Sequence, residues 1–238
     1  MNTEPVGLTG IDALILCGGL GTRLRSLIAD RPKGLAEVAG KPVLDILVAE
    51  LLGQGCRRII FCVGHLKEQI IAHYRGRNEA EFLFAEEALP LGTGGALRNA
   101  LPLVRSDPFL VLNGDSLCQV DLEQFLAFHL DRQATASLVL AEPGARHDGG
   151  IVRVDAEMRI SAFVEKPNGL IPTGSYISAG IYLFQRQGVA AGPERQRYSL
   201  ETDVFPALVA QGRCYGFPVA GSVVDIGTPE RYRQANPS

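Results

Sequence analysis

Residues 11–24 read Ile-Asp-Ala-Leu-Ile-Leu-Cys-Gly-Gly-Leu-Gly-Thr-Arg-Leu. The first seven form a short apolar run closed by glycines, the pattern of a strand buried on both faces. Gly18, Gly19 and Gly21 then give up backbone order just ahead of the fixed positive charge of Arg23. Glycine lets a ligand approach the main chain closely, and successive exposed N–H groups form an anion-binding concavity. An arginine at its edge adds bidentate hydrogen bonds to phosphate. The run predicts a strand feeding a phosphate cradle; a tight strand-to-helix turn without a ligand is the plainer alternative. A Walker loop would end in Gly-Lys-Ser/Thr, and a dinucleotide fingerprint would place a third glycine where Leu24 stands, so neither pattern is present.

Working outward, Pro42 opens a helix with Leu44, Leu47, Val48 and Leu51 in phase, and residues 58–64 are a second buried strand. A helix over 66–74, a strand over 81–85, a helix over 94–101 and a strand over 109–112 follow. This β-α-β-α-β-α-β order predicts an α/β fold: a Rossmann-like, mostly parallel mixed sheet with helices on both faces, in a single domain. Ligands of such sheets bind beyond the carboxyl ends of the strands, so the glycine loop and Asn113-Gly114-Asp115 are expected to face one crevice. The second half is more mixed, with a helix over 121–131 and strands over 136–141, 151–155, 159–165 and 176–184. A helix capped by Ser199 is restarted or kinked at Pro206, and two short strands flank Gly216 and Asp225. The chain divides into halves at about 11–118 and 119–232.

The 238 residues are 46 % hydrophobic and 21 % charged, enough apolar material for a substantial core. Net charge is −3 and no lysine/arginine block exceeds a pair, which excludes a nucleic-acid footprint. The amino terminus lacks a basic start and an apolar h-region, and no apolar run reaches the length of a membrane span, so no signal or membrane association is expected. The five cysteines are scattered and never spaced as CxxC; they read as reduced thiols of a cytoplasmic protein. Oligomeric state is not readable, and a homodimer stays open.

Several residues could serve the predicted crevice. Lys33 adds a cation beside Pro32. Asp115, just past a buried strand, reads as a magnesium ligand, and Asp225 as a second carboxylate or as the N-cap of a terminal helix. Glu87 could accept from N1–H and the exocyclic amine of guanine, or belong to a solvated pair with Glu86. Gly92, Gly94 and Gly95 mark a turn where backbone must approach something. Glu165 and Lys166 read as contacts for sugar hydroxyls and a phosphate, with Gly149, Gly150 and Gly180 letting a sugar pack against backbone. The four histidines form no spaced cluster, and Ser199 has no visible His/Asp partners, so nucleophilic hydrolysis is not supported.

Taken in order, "GGLGTRL" with Pro32-Lys33, "PLGTGGAL", "NGD", "EKP", "SAGIYLF" and "DIGTPERY" resemble the sugar-1-phosphate nucleotidyltransferases, across positions 11–232. The resemblance implies transfer of a nucleotidyl group from a nucleoside triphosphate to a sugar 1-phosphate, releasing pyrophosphate, with Mg2+. It implies that Leu16, Gly18, Gly19, Gly21, Thr22, Arg23 and Lys33 hold the nucleotide, with Glu87, Gly92 and Thr93 towards the base. It puts Asp115 and Asp225 on magnesium and Gly150, Glu165, Lys166 and Ser178 at the sugar phosphate, with Arg23, Lys33 and Asp115 carrying the catalysis. "ILCGGLGTRL" and "PLGTGGAL" are most similar to the D-glycero-D-manno-heptose 1-phosphate guanylyltransferase branch, which implies GTP. Mannose, N-acetylmuramic acid and glucose 1-phosphate are the alternative acceptors, and a non-catalytic nucleotide-sugar-binding subunit is the alternative of another class. Gly34 stands where relatives often carry proline or alanine and is expected to loosen its loop. Ser178 replaces a frequent asparagine, which leaves the sugar contact there open. No hexapeptide repeat follows position 232, so a fused acyltransferase is not expected.

Overall fold

The run at 11–17 forms strand β1 (Asp12–Leu16), with Ala13 and Ile15 entering one core layer and Leu14 the other. The computed structural model describes residues 7–24, 27–28, 30–143, 150–165 and 172–236. A small hairpin of β2 (Glu37–Val38) and β3 (Lys41–Pro42), which the sequence did not announce, leads into α1 (Val43–Gly53). Then come β4 (Arg58–Val63), α2 (Lys67–Tyr74), β5 (Glu81–Glu86), α3 (Gly92–Ala100), β6 (Phe109–Asn113), β7 (Ser116–Leu117) and α4 (Leu122–Asp131). The second half holds β8 (Ala136–Ala141), β9 (Ile151–Val154), β10 (Ile160–Val164), β11 (Tyr176–Phe184) and α5 (Arg186–Val189). A π-turn (Leu200–Val204) runs into α6 (Phe205–Ala210), followed by β12 (Cys214–Pro218), β13 (Val224–Asp225) and α7 (Pro229–Ala235).

β1 lies between β4 and β6, parallel to both, and β5 extends the row beyond β4. Beyond β6 the sheet turns mixed: β11 pairs antiparallel with β6 and with β8, and β12 runs parallel to β8. The antiparallel pair β9–β10 attaches at the start of β11. One nine-stranded sheet thus draws strands from both halves of the chain. Side chains of α1, α2 and α4 cover one face, through Leu47, Tyr74 and Phe125. Those of α3 and α6 cover the other, through Leu97 and Phe205. With both faces buried, central strands can be apolar throughout, which is why β4 and β6 read as unbroken runs.

Local signals act as expected at the helix starts. Asp121 caps α4 by accepting from the N–H of Gln124 at 2.9 Å. Ser199 caps the π-turn through the N–H groups of Glu201 and Thr202, and Pro206 restarts the chain as α6. Gly34 does not loosen its loop. It is buried under Leu44, whose Cδ1 would lie 2.7 Å from an added Cβ, and the turn around it is closed by Leu35 N–H to Pro32 and Ala36 N–H to Lys33. All five cysteines are free thiols; burial pushes Cys56 up to about 11 and Cys214 up to about 12. Among the described residues no helix is long and apolar enough to cross a membrane.

Candidate functional site

β1 and β6 end side by side, Leu16 opposite Asn113, and the N–H of Gly114 donates to the Leu16 carbonyl at 2.9 Å. A Cβ at Gly114 would sit 2.9 Å from that carbonyl oxygen, so the close approach of the two strand ends needs glycine. Both motifs therefore open on one cleft of about 420 Å³. Leu16, Gly18, Gly19, Gly21, Thr22, Arg23, Lys33, Glu87, Gly92, Thr93 and Asp115 all line it. Gly21 adopts a left-handed φ of +59°, and its carbonyl accepts from Leu24 N–H at 2.9 Å, closing a short turn that carries Arg23.

The two expected metal carboxylates come together although 110 residues separate them in sequence, as the numbering of Asp115 and Asp225 shows. β13 pairs with β7 with Asp225 opposite Ser116, and Ile226 N–H donates to the Asp115 carbonyl at 3.1 Å. The Lys33 ammonium pairs with Asp115 Oδ2, while Ser116 Oγ donates to Asp115 Oδ1 at 3.1 Å. Asp225 Oδ1 accepts from Gly227 N–H and lies 3.4 Å from the Arg231 guanidinium. A Cβ at Gly227 would lie 3.4 Å from Lys33 Nζ and 3.5 Å from Arg23 Nη2, so cations and carboxylates share one corner of the cleft. Burial alone would raise the Asp115 carboxyl; Lys33, Ser116 and Arg23 outweigh it and hold the group below the usual carboxylate range. The terminal helix α7 is capped by Thr228 through Arg231 N–H at 3.4 Å, not by Asp225. No group of three or more histidine, cysteine or carboxylate side chains that could hold a metal occurs among the described residues. Asp115, in the turn between β6 and β7, and Asp225, on β13, are carboxylates of the kind that could hold magnesium if substrate oxygens completed its shell.

Glu87 is not half of a solvated pair. Glu86 is exposed and bridges to Lys67 at 2.8 Å, whereas Glu87 is buried, with Oε2 accepting from Leu91 N–H at 2.9 Å. Burial raises its pKa against the pull of that N–H. Its Oε1 abuts the glycine loop, 2.7 Å from where a Cβ on Gly18 would stand. The second glycine motif approaches the chain itself. Added Cβ atoms on Gly92, Gly94 and Gly95 would strike the Tyr198 carbonyl, the Tyr198 ring and the Gln196 carbonyl. Gly94 and Gly95 N–H donate to the Tyr198 carbonyl at 3.1 and 3.3 Å. The Thr93 hydroxyl is engaged internally as well: it donates to Glu201 at 2.6 Å and accepts from Leu200 N–H at 2.8 Å.

In the other half, Gly150, Glu165 and Ser178 meet one another but do not line the described cleft. Ser178 N–H donates to the Gly150 carbonyl at 2.9 Å, and a Cβ on Gly150 would meet the Phe163 ring and lie 3.3 Å from Glu165 Oε2. Gly180, expected to accommodate a sugar, instead makes room for Asn113, whose Nδ2 would lie 2.9 Å from an added Cβ. Lys166, with Gly149 and His147, lies outside the described residues. The sequence assigns no role to Arg197 and Pro90, which line the cleft, or to Arg231 beside Asp225, whereas Asn113 lines it as expected of its Asn-Gly-Asp motif. Asn113 alone had a local signal, standing first in the motif that ends β6; the others reach the site through non-local packing.

A family profile described as Nucleotidyl transferase matches residues 12–238. The chain belongs to the nucleotidyl transferase family. It is 37 % identical over 227 residues to the mannose-1-phosphate guanylyltransferase of Mycobacterium tuberculosis, covering 93 % of this chain and 62 % of that protein. It is 35 % identical over 234 residues to the mannose-1-phosphate guanylyltransferase catalytic subunit beta of Drosophila melanogaster, covering 96 % and 63 %. The chain thus spans a little over three fifths of these curated relatives. The crystal structure of HddC from Yersinia pseudotuberculosis complexed with GMP-PN superposes with a TM-score of 0.81 at 31 % identity, covering 94 % of this chain and 97 % of that one. A sucrose-bound structure from Bacillus anthracis, at 20 % identity and a TM-score of 0.84, shares the fold.

Proposed function

We propose that this protein transfers a nucleotidyl group from GTP to a manno-configured sugar 1-phosphate, giving a GDP-sugar and pyrophosphate. The observation that carries the reading is the convergence of Arg23, Lys33 and Asp115 in one cleft whose wall also holds Glu87, with Asp225 beside the cleft-lining Gly227. Two of these groups, Arg23 and Lys33, can neutralise a triphosphate, and Glu87 is an acceptor suited to the two N–H donors of guanine. The heptose 1-phosphate is supported by the sequence resemblance, and mannose 1-phosphate by the named relatives.

The nucleophile in this reading is a phosphate oxygen of the acceptor, already anionic near neutral pH, so no side chain need remove a proton. None of the three described histidines lines the cleft. What the chain supplies is in-line placement and charge neutralisation. The glycine loop and Arg23 grip the departing pyrophosphate, and Lys33 leaves Asp115 for the α-phosphate. Asp115 and Asp225 would hold magnesium, which when bound would offset charge on the transferring phosphate. The acceptor phosphate would enter from the side of Gly150, Glu165 and Ser178, with Lys166 proposed to hold it. A pyrophosphate-release assay crossing GTP, ATP, UTP, CTP and dTTP with mannose, heptose, glucose and N-acetylmuramate 1-phosphates tests this. Release with GTP and a manno sugar supports it; release only with UTP or dTTP and another sugar overturns the specificity, and no release in any pair overturns the activity.

A further inference from the structure

The glycines at 92, 94 and 95 give up side chains to seat residues 196–201, which run across the amino end of α3 as a strap. Tyr198 anchors it: its N–H donates to the Leu91 carbonyl at 3.0 Å, its carbonyl accepts from Gly94 and Gly95, and its buried ring lies under Arg98 at 4.6 Å. The strap is closed a second time by side chains. Glu201 Oε2 accepts from both Thr93 Oγ1 and Ser199 Oγ, each at 2.6 Å, and Leu200 N–H donates back to Thr93 Oγ1 at 2.8 Å. Hydrogen bonds to an ionised carboxylate are the stronger kind, and here they join residues more than a hundred positions apart.

Two features make this closure more than packing. Arg197 rides on the strap and lines the cleft, so the strap's position sets where that guanidinium stands. Leu200 and Tyr198 of the strap share one buried cluster with Tyr182, whose hydroxyl is 3.3 Å from Ser178 Oγ. Ser178 and Glu165 belong to the half of the molecule opposite the nucleotide wall. A packed path therefore runs from the strap to Ser178.

We propose that Thr93 is a positioning residue for the acceptor substrate: its hydroxyl latches the strap to the nucleotide wall, with Glu201, and the latched strap fixes Arg197 and, through the cluster Leu200 shares with Tyr182, the Tyr182–Ser178 pair. This rests on the transferase reading, which assigns an acceptor to that side. The test is Thr93→Val, Thr93→Ser and Glu201→Gln, each read by initial rates with both substrates varied and by amide hydrogen exchange over residues 192–201. Thr93→Val should raise KM for the sugar 1-phosphate about tenfold, the scale of losing one hydrogen bond to a charged group, with KM for GTP within about twofold. Thr93→Ser should restore the wild-type value, and strap amides should exchange faster in Thr93→Val and Glu201→Gln alone. A rise in KM for GTP equal to or above that for the acceptor, no change in either constant, or unchanged strap exchange would each overturn the latch. If Thr93→Val does not fold, Glu201→Gln decides by the same readings. If the wild type turns over no substrate pair, the transferase reading falls while strap exchange still decides the latch.

Discussion

Alanine at Gly18 should separate base recognition from folding. Gly18 does not use a left-handed backbone, so alanine is not strained by conformation there. Its methyl would stand 2.7 Å from Glu87 Oε1 and 3.1 Å from the Gly64 nitrogen. The carboxylate is the end of a flexible side chain and yields first, moving by roughly half an ångström to reach ordinary contact. That shift breaks the 2.9 Å hydrogen bond from Leu91 N–H and turns Glu87 away from the position proposed for the guanine edge. A hydrogen bond to a charged group contributes about 1.5–3 kcal/mol, which is about 10- to 100-fold in an equilibrium constant. Gly18→Ala should therefore bind GTP about 10- to 100-fold more weakly by titration calorimetry while its circular dichroism stays that of the wild type. Inosine triphosphate lacks the exocyclic amine, so the wild type should prefer GTP over it and the variant should lose most of that preference. A Gly18→Ala protein that keeps both wild-type GTP affinity and the GTP/ITP preference would refute the placement of Glu87 at the base.

Other perturbations probe different parts of the account. Lys33→Ala and Asp115→Ala should each lower kcat by about a hundredfold or more with the fold retained, measured by pyrophosphate release; near-normal turnover in either removes both from the reaction. His129 is fully buried with Nδ1 2.9 Å from Ser137 Oγ, and burial lowers its pKa from 6.5 to about 4. The unfolded chain therefore binds the extra proton between those values, and the neutral-His contribution is full above pH 6.5 and is lost as pH falls towards 4. Urea unfolding should show about 3 kcal/mol less stability from this group at pH 4 than at pH 7, and His129→Gln should flatten that part of the slope.

The sequence made some parts of this molecule plain and hid others for physical reasons. Strands sheathed on both sides, such as residues 109–112, announce themselves because every side chain must be apolar. Helix starts at Asp121 and Ser199 were legible because a cap is a local hydrogen bond. The order of strands beyond β6 was not, since antiparallel insertion of β11 between β6 and β8 depends on pairings with no local signature. At the site, the glycine loop and Asp115 could be placed because both end predicted strands. The purpose of Gly94 and Gly95 could not, because the chain they receive is about a hundred residues away. Gly180 misled for a related reason: the group needing its space is Asn113, on another strand. For Asp225 the sequence offers both a carboxylate and a cap reading, and the structure gives the cap of α7 to Thr228.

Direct attack by the acceptor phosphate, with no side chain bonded to the nucleotide on the way, leaves a stereochemical record at the α-phosphorus. GTP made chiral there with sulfur, given to the protein with magnesium and the sugar 1-phosphate that it accepts, should yield a nucleotide sugar of inverted configuration, read by 31P NMR. Retained configuration, which two successive displacements would leave, would contradict the mechanism.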